Sequence, residues 1–332
     1  MLRVAINGLG RIGRCLVWAI HERGLQDQIE IVAINDLVKP EMLAHLLRHD
    51  TTHGHFHTPV SVTQDRLRIG KQQIRCFGET DPAKLPWEDL GVELVLECTG
   101  KLKKKELLQR HLDAGASRVL VAYPVPDADK TLVFGINNQT LASEDRIVSN
   151  ASCTTNCLAP VVKVLNDTFG LEQGQMTTIH AYTNDQSLID KAHSDPYRAR
   201  AAASNMIPTK TGAAGAVGLV LPELAGRLDG MAVRVPTINV SMVDLHAVLS
   251  REATVEEINQ AMRDASNGML AGILDYNEEP MVSADFNHNP ASSIFDATQT
   301  RVLGKQIKVI AWYDNEWGFT NRMLDVALAM AE

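Results

Sequence analysis

The 332-residue chain lacks a positive excess: 32 Lys and Arg stand against 40 Asp and Glu, for a formal net charge of −8. Nucleic acid and anionic membranes are therefore not indicated as its main partners, although a local phosphate site remains compatible with that charge. Long apolar runs are absent too. No stretch approaches ~20 uninterrupted apolar residues, so no membrane span is expected. A charged-then-apolar leader is missing, because Met1-Leu2-Arg3-Val4-Ala5-Ile6 enters a strand pattern at once. Cysteine is sparse, with five residues in no regular spacing. An odd, irregular set argues for reduced thiols and a cytoplasmic protein rather than a disulfide framework. Neither a CxxC pair nor HExxH occurs, so no metal site is expected. What is plentiful is hydrophobic residue, 45% of the chain, enough for sizeable cores in about two domains.

The first half alternates strand and helix patterns. Leu2 to Ile6 reads as a buried parallel strand, and Asn7-Gly8-Leu9-Gly10-Arg11-Ile12-Gly13 follows it. This is G-x-G-x-x-G between a strand and an apolar-periodic helix. In that setting Gly8 permits the tight turn, Gly10 lets backbone approach a pyrophosphate, and Gly13 lets helix and strand pack closely. The helix start supplies N–H groups to phosphate. A second strand, Ile29 to Asn35, ends at Asp36. A carboxylate there is suited to a ribose 2′-hydroxyl and repels a 2′-phosphate, which favours NAD over NADP; Lys39 nearby leaves NADP use open. Residues 51–90 look irregular, with hairpin-like pieces at Val60–Val62 and Leu67–Arg75; further strands are expected at Val92–Glu97, Arg118–Ala122, Leu132–Gly135 and Ile147–Val148, with helices at Leu43–His49 and Lys101–Leu112. Thr99, just past a strand end, is a candidate cofactor contact. The alternation predicts a doubly wound, mostly parallel sheet.

At Ser149-Asn150-Ala151-Ser152-Cys153-Thr154-Thr155-Asn156-Cys157 the chain turns into a helix, with Ser152 or Ala151 near its cap. A thiol in a first helical turn faces the positive end of the helix dipole, which favours thiolate, the nucleophilic form. Cys153 is thus a candidate nucleophile, and an ordinary buried cysteine is the plain alternative. A strand over 176–183 carries His180 toward its end, a candidate base for the thiol. Residues 184–207 lack periodicity, and a long irregular loop of this kind is often functional. Thr211 and Gly212 precede an apolar helix and form a candidate anion nest. Arg234 lies within an apolar strand and calls for an anionic partner. The remaining pattern gives strands at Ile238–Leu249, Pro280–Phe286, Ser293–Gln299 and Lys305–Trp312, a helix at Val255–Ala265, and an amphipathic helix from Phe319 to Ala331. Strands with few helices predict a mostly antiparallel sheet here, within an α+β domain.

These motifs together resemble the phosphorylating glyceraldehyde-3-phosphate dehydrogenase family. The resemblance runs end to end, through the glycine loop, Ser149 to Asn156, His180-Ala181-Tyr182-Thr183, Thr211-Gly212-Ala213-Ala214, Arg234-Val235-Pro236-Thr237 and Trp312-Tyr313-Asp314-Asn315-Glu316. It implies an NAD-binding domain over residues 1–151 plus 315–332 and a catalytic domain over 152–314. It implies that Cys153 attacks an aldehyde to give a thiohemiacetal, that His180 raises thiolate character and takes the hydroxyl proton as hydride passes to NAD, and that the thioester left is released by inorganic phosphate. Ser152, Thr154, Arg200, Thr211 and Gly212 match the site for that phosphate. Thr183, Asp185 and Arg234 match the site for the substrate's own phosphate. Asn315 matches the residue that holds the nicotinamide carboxamide, and homotetramers are the family's usual assembly.

The chain departs from the family pattern in places. Ala122-Tyr123-Pro124 stands for a usual Ser-Ala-Pro, Lys191-Ala192 for Leu-Pro, Gly215 for lysine and Phe319 for tyrosine. The stretches 285–290 and 315–325 are closer to erythrose-4-phosphate dehydrogenase, a relative that uses the same cysteine and histidine but commonly releases an acid by hydrolysis. Thr211-Gly212-Ala213-Ala214 and Ala181-Tyr182-Thr183-Asn184-Asp185 instead favour glyceraldehyde 3-phosphate with phosphate. Outside this group, a semialdehyde dehydrogenase would share the nucleotide domain and a nucleophilic cysteine but not the residues around Cys153. A non-catalytic nucleotide-binding module would bind NAD without thiol chemistry.

Overall fold

A computed structural model describes residues 1–332, which divide into two compact units: Met1–Leu132 with Asn138–Ala151 and Thr320–Glu332, and Val133–Asn137 with Ser152–Phe319.

The first unit begins with β1 (Leu2–Asn7), α1 (Arg11–Glu22), β2 (Ile29–Asn35) and α2 (Pro40–Arg48). Two short strands, β3 (His49–Asp50) and β4 (Gly54–His55), pair as a small hairpin. Then come β5 (Val60–Thr63), β6 (Arg66–Ile69), β7 (Gln72–Phe77), β8 (Leu94–Glu97), α3 (Lys105–Asp113), β9 (Arg118–Val121), β10 (Lys130–Thr131) and β11 (Ile147–Ser149). Nine of these strands form one sheet in the order β10-β11-β9-β8-β1-β2-β7-β6-β5. It is parallel from β10 to β7 and antiparallel at the β5–β6–β7 edge. The central strands are buried along their length, as crossover helices on a parallel sheet require. β1 pairs with β2 on one side and with β8 on the other. The winding direction therefore reverses between β1 and β8, and the carboxyl ends of these two strands border the crevice where such sheets take ligands.

The second unit contains α4 (Cys153–Phe169), β12 (Leu171–Ala181), β13 (Ile207–Lys210), α5 (Ala213–Val220), β14 (Leu228–Val235), β15 (Ser241–Leu249), α6 (Val255–Asn267), β16 (Leu274–Asn277), β17 (Ser293–Asp296), β18 (Arg301–Leu303) and β19 (Gln306–Tyr313). Its sheet runs β13-β14-β12-β15-β19-β17-β16, with β18 beside β19. Most pairs are antiparallel, but β12–β14 and β16–β17 are parallel. Met176, Thr178 and His180 alternate as buried positions on β12, and α4 packs over that sheet. The last helix, α7, covers Trp317–Ala329.

Several local expectations are corrected. The strand expected at Leu132–Gly135 is instead the two-residue β10, and the chain turns beyond it through Gly135 at φ +84°. The hairpin-like piece at Leu67–Arg75 is the antiparallel β6–β7 pair turning at Gly70, whose φ is +57°. The helix expected from Lys101 starts at Lys105, where the Asp127 carboxylate accepts the Lys105 N–H at 3.0 Å. Pro280–Phe286 forms a single 3₁₀ turn at Ser283–Phe286 rather than a strand, with Asp285 accepting the Val282 N–H at 2.8 Å. Proline at the start and a self-bonding aspartate favour a turn over a ladder. Likewise β17 stops at Asp296, whose carboxylate accepts from the Thr298 N–H and hydroxyl at 3.1 and 2.6 Å.

Candidate active site

The glycine loop is shaped by contacts that only small residues allow. Gly8 has φ +93°, and a side chain there would strike Thr99 at 3.0 Å. A Cβ on Gly13 would lie 2.2 Å from the Gly8 carbonyl oxygen. Gly10 is different: nothing lies within 4 Å of a Cβ built on it, so its face is open to an incoming group. No side chain caps the first turn of α1. Asp36, at the end of β2, accepts the Leu9 N–H at 2.7 Å and the Val38 N–H at 3.0 Å. The acidic residue is thus fastened to the loop itself. Gly8, Gly10, Ile12, Gly13 and Asp36 fit a dinucleotide in this crevice. The Arg11 guanidinium is held by Asp50 of the β3–β4 hairpin.

Beneath the crevice lies a polar network that sequence reasoning missed. Glu97, at the end of β8, is fully buried. Its carboxylate accepts from Asn7 Nδ2 at 2.5 Å, from the Thr99 N–H at 2.8 Å and hydroxyl at 2.5 Å, and from Tyr123 OH and His111 Nε2 at 3.2 Å each. Trp87 Nε1 donates to His111 Nδ1 at 3.0 Å, which places the imidazole proton on Nε2 facing Glu97. Burial pushes the Glu97 carboxyl up, but bonds from His111, Thr99 and Asn7 overcome it and hold the group below the ordinary glutamate range. The network bolts together the strand ends that carry Gly8 and Thr99. A charged residue at the close of an apolar strand was the signal available in the sequence.

In the second unit Ser152 caps α4, its Oγ accepting the Thr155 N–H at 3.0 Å. Cys153 follows in the first turn, and its Sγ lies 3.5 Å from His180 Nε2. His180 Nδ1 donates to the Ala181 carbonyl at 2.6 Å, leaving the Nε2 lone pair toward the thiol. Arg234 is brought there by sheet register: β12 and β14 run parallel with His180 opposite Arg234. Arg234 Nη1 donates to the same Ala181 carbonyl at 3.1 Å and lies 3.1 Å from His180 Nδ1. Burial, then the Arg234 charge, lower His180 to about 3, so the imidazole is a neutral acceptor. Burial holds the Cys153 thiol above its ordinary value, although Arg234 and donors of the Thr154 turn pull it down. Burial pushes Cys157 up as well, to about 12, as suits packing. Cys98 and Cys76 are also raised by burial.

The other site candidates separate. Thr154 turns its hydroxyl to Tyr313 OH at 2.9 Å, and Tyr313 also meets Thr178 at 2.8 Å and sets its ring edge against His180. Tyr313 thus braces both the helix start and the histidine. Asp185 pairs with Arg198, which also bonds Thr209 Oγ1 at 3.0 Å and the Lys210 carbonyl at 3.2 Å. Arg200 points elsewhere: it pairs with Asp190 at 2.7 Å and its side chain is 64% exposed. Arg200 thus stands apart from this cluster, and Arg198 occupies it beside Asp185 and Thr209. Two arginines two residues apart in an irregular loop could not be told apart by pattern. Thr211 Oγ1 accepts the Ala213 N–H at 3.2 Å, and Gly212 is the N-cap of α5 with open space over its Cα. Thr183 opens the irregular loop, its carbonyl accepting the Gln186 N–H. Asn315 is buried and its Oδ1 accepts from Ser241 at 2.8 Å, leaving the amide nitrogen as the donor end.

Residues 2–105 match the model of the glyceraldehyde 3-phosphate dehydrogenase NAD binding domain, and residues 152–315 match the model of its C-terminal domain. The chromosomal glyceraldehyde-3-phosphate dehydrogenase of Cupriavidus necator is 57% identical over 331 residues, 99% of this chain and 98% of its own length. The chain belongs to this family. Glyceraldehyde-3-phosphate dehydrogenase of Pseudomonas aeruginosa is 54% identical over 330 residues, and glyceraldehyde-3-phosphate dehydrogenase 1 of Bacillus cereus 52% over 332, each covering 99% of this chain and 98% of the relative. Membership of the glyceraldehyde 3-phosphate dehydrogenase family makes this an NAD-dependent oxidoreductase, and the glycine loop with Asp36 supplies the fitting cofactor cradle.

Proposed function

We propose that the protein oxidises glyceraldehyde 3-phosphate in the presence of NAD and inorganic phosphate, yielding 1,3-bisphosphoglycerate. The observation that carries this reading is Cys153 Sγ at 3.5 Å from a histidine nitrogen whose partner nitrogen is already committed to a carbonyl. As Cys153 adds to the aldehyde carbon, His180 Nε2 accepts the thiol proton, and the Arg234 charge favours anionic sulfur. Bound NAD supplies the acceptor for the hydride lost from the aldehyde carbon. Phosphate then attacks the acyl carbon on Cys153, the acyl phosphate forms, and sulfur leaves with its electron pair. Arg234 and Thr183 serve the substrate's own phosphate, with Asp185 acting by holding Arg198. Arg198, Thr211, the Gly212 backbone and Ser152 serve the attacking phosphate. On the cofactor side Gly8, Gly10, Gly13, Ile12 and Asp36 hold the dinucleotide, Arg11 and Thr99 frame the loop, and Asn315 donates to the carboxamide.

We further propose a homotetramer in the cytoplasm, with residues 1–151 and 315–332 acting as the NAD-binding domain and 152–314 as the catalytic domain. Leu188, Ile189 and Met206 leave 77–79% of their surface exposed on the loop after His180, which supports self-association there. None of the five cysteines forms a disulfide, and no helix is long and apolar enough to cross a membrane. The deciding experiment is NADH formation with purified protein on glyceraldehyde 3-phosphate and on erythrose 4-phosphate, each with and without phosphate. Phosphate-dependent turnover of the triose is expected. A preference for the tetrose with no phosphate dependence would overturn the proposed substrate and release step.

A further inference from the structure

Five of the chain's eleven histidines fall between positions 45 and 57, and none of the chemistry above uses them. Three converge. His49 and His55 are direct cross-strand partners in the β3–β4 hairpin, and their Nδ1 atoms lie 3.2 Å apart. His45 sits one helical turn before His49, with ring centroids 5.2 Å apart. All three are exposed. Two nitrogens bound to one tetrahedral metal at about 2.0–2.1 Å are separated by roughly 3.3 Å. The cross-strand pair already stands at that separation. The hairpin is also held from beneath, because Asp50 between these histidines binds Arg11 and accepts the Thr52 and His53 N–H groups at 2.9 and 3.0 Å. Ligand spacing is therefore set by a braced turn rather than by free side chains.

The geometry points to a surface site for a borderline-soft divalent metal of the zinc or nickel class, chelated by His49 and His55 with water completing the shell. In the metal-free chain one proton must be shared across the 3.2 Å contact, and the metal takes that proton's place. The nearby Arg48 charge opposes a cation, so the site is suited to ligand-field binding by imidazole rather than to Ca²⁺ or Mg²⁺, which need oxygen donors.

The test is calorimetric titration of untagged, full-length protein with Ni²⁺ or Zn²⁺ after its cysteines have been alkylated, so that thiols do not compete. One saturable equivalent per chain is expected. H49Q and H55Q should each weaken it at least tenfold, as a two-point chelate becomes a single-point contact. H57Q and H246Q, at other exposed histidines, should leave it unchanged. Melting curves of the metal-free variants should match the parent, since these side chains are exposed. Absence of a saturable equivalent, or equal binding by the H49Q/H55Q double variant, would overturn the site.

Discussion

Substituting alanine at Gly13 and at Gly10 separates two demands that the loop makes. At Gly13 the new methyl would sit 2.2 Å from the Gly8 carbonyl oxygen, 3.1 Å from the Gly8 carbonyl carbon and 3.3 Å from Ile6 Cγ2. Backbone, not a flexible side chain, is in the way, so loop and helix must part by roughly 1 Å to regain ordinary contact. Overpacking of this kind costs about 1–3 kcal/mol, and alanine returns up to about 1 kcal/mol of helix propensity. A net loss of about 1–2 kcal/mol lowers the melting temperature by about 2–8 °C for a unit of this size. NAD binding should weaken as well, because Gly8 carries the turn. At Gly10 the methyl meets nothing, and φ of −72° suits alanine, so G10A should melt within about 1–2 °C of the parent. Its NAD affinity should nevertheless fall about tenfold or more, since the methyl occupies the open approach to the loop. Differential scanning fluorimetry and NAD titration measure both. If G13A melts like the parent, the close helix–loop packing is wrong. If G10A binds NAD unchanged, the open face at Gly10 is not where the dinucleotide approaches.

C153S should lose at least about a thousandfold in NADH formation while retaining NAD binding; an active serine variant would refute the nucleophile. R234Q removes the cation that favours anionic sulfur, so the pH profile of Cys153 alkylation should move to higher pH, and an unmoved profile would refute that coupling. E97Q replaces an acceptor facing five donors with an amide and should cost about 3 kcal/mol in urea unfolding at neutral pH. Because the Glu97 carboxyl is held low in the folded chain, its contribution is present above the unfolded glutamate value and is lost as pH falls through the folded one; E97Q and parent should converge in stability on acidification. His180 adds to acid sensitivity with its own sign. Its folded value of about 3 lies below the ordinary histidine value, so stability falls as pH drops from about 6.5 toward 3, and H180N should flatten that limb.

The sequence announced some parts of this molecule and hid others for identifiable reasons. Parallel strands and the glycine loop were legible because burial on both faces writes long apolar runs, and the turn after β1 demands glycine. The Ser152 cap and the Cys153 helix were legible for the same local reason, as capping chemistry is a short-range pattern. The Glu97–His111–Trp87 network was not, since its members are brought together from β8, α3 and the loop before β8 only by folding. Tyr313 was hidden likewise: its hydroxyl gains meaning from Thr154 and Thr178, more than a hundred residues away. Which of Arg198 and Arg200 stands beside Asp185 was not legible either, since periodicity is absent there and only ion pairing separates them. The strand expected at 280–286 failed because composition resembles a strand until Asp285 bonds its own turn.

The parallel pairing of β12 with β14, which sets His180 opposite Arg234, has a consequence for how this family can diversify. Between the two strands the chain makes an excursion of more than forty residues, including the irregular loop with exposed Leu188, Ile189 and Met206. Ladder register, not the length of that excursion, fixes the distance between imidazole and guanidinium. Changes of surface character around Leu188, Ile189 and Met206 can therefore accumulate while the reactive pair stays in place, whereas Asp185, Arg198 and Thr211 on the same excursion are tied by their own bonds. A slip of one residue in the ladder, by contrast, would turn Arg234 to the opposite face of the sheet. Assembly and partner preference are free to drift in the same span of chain where catalysis is tightly held at both ends.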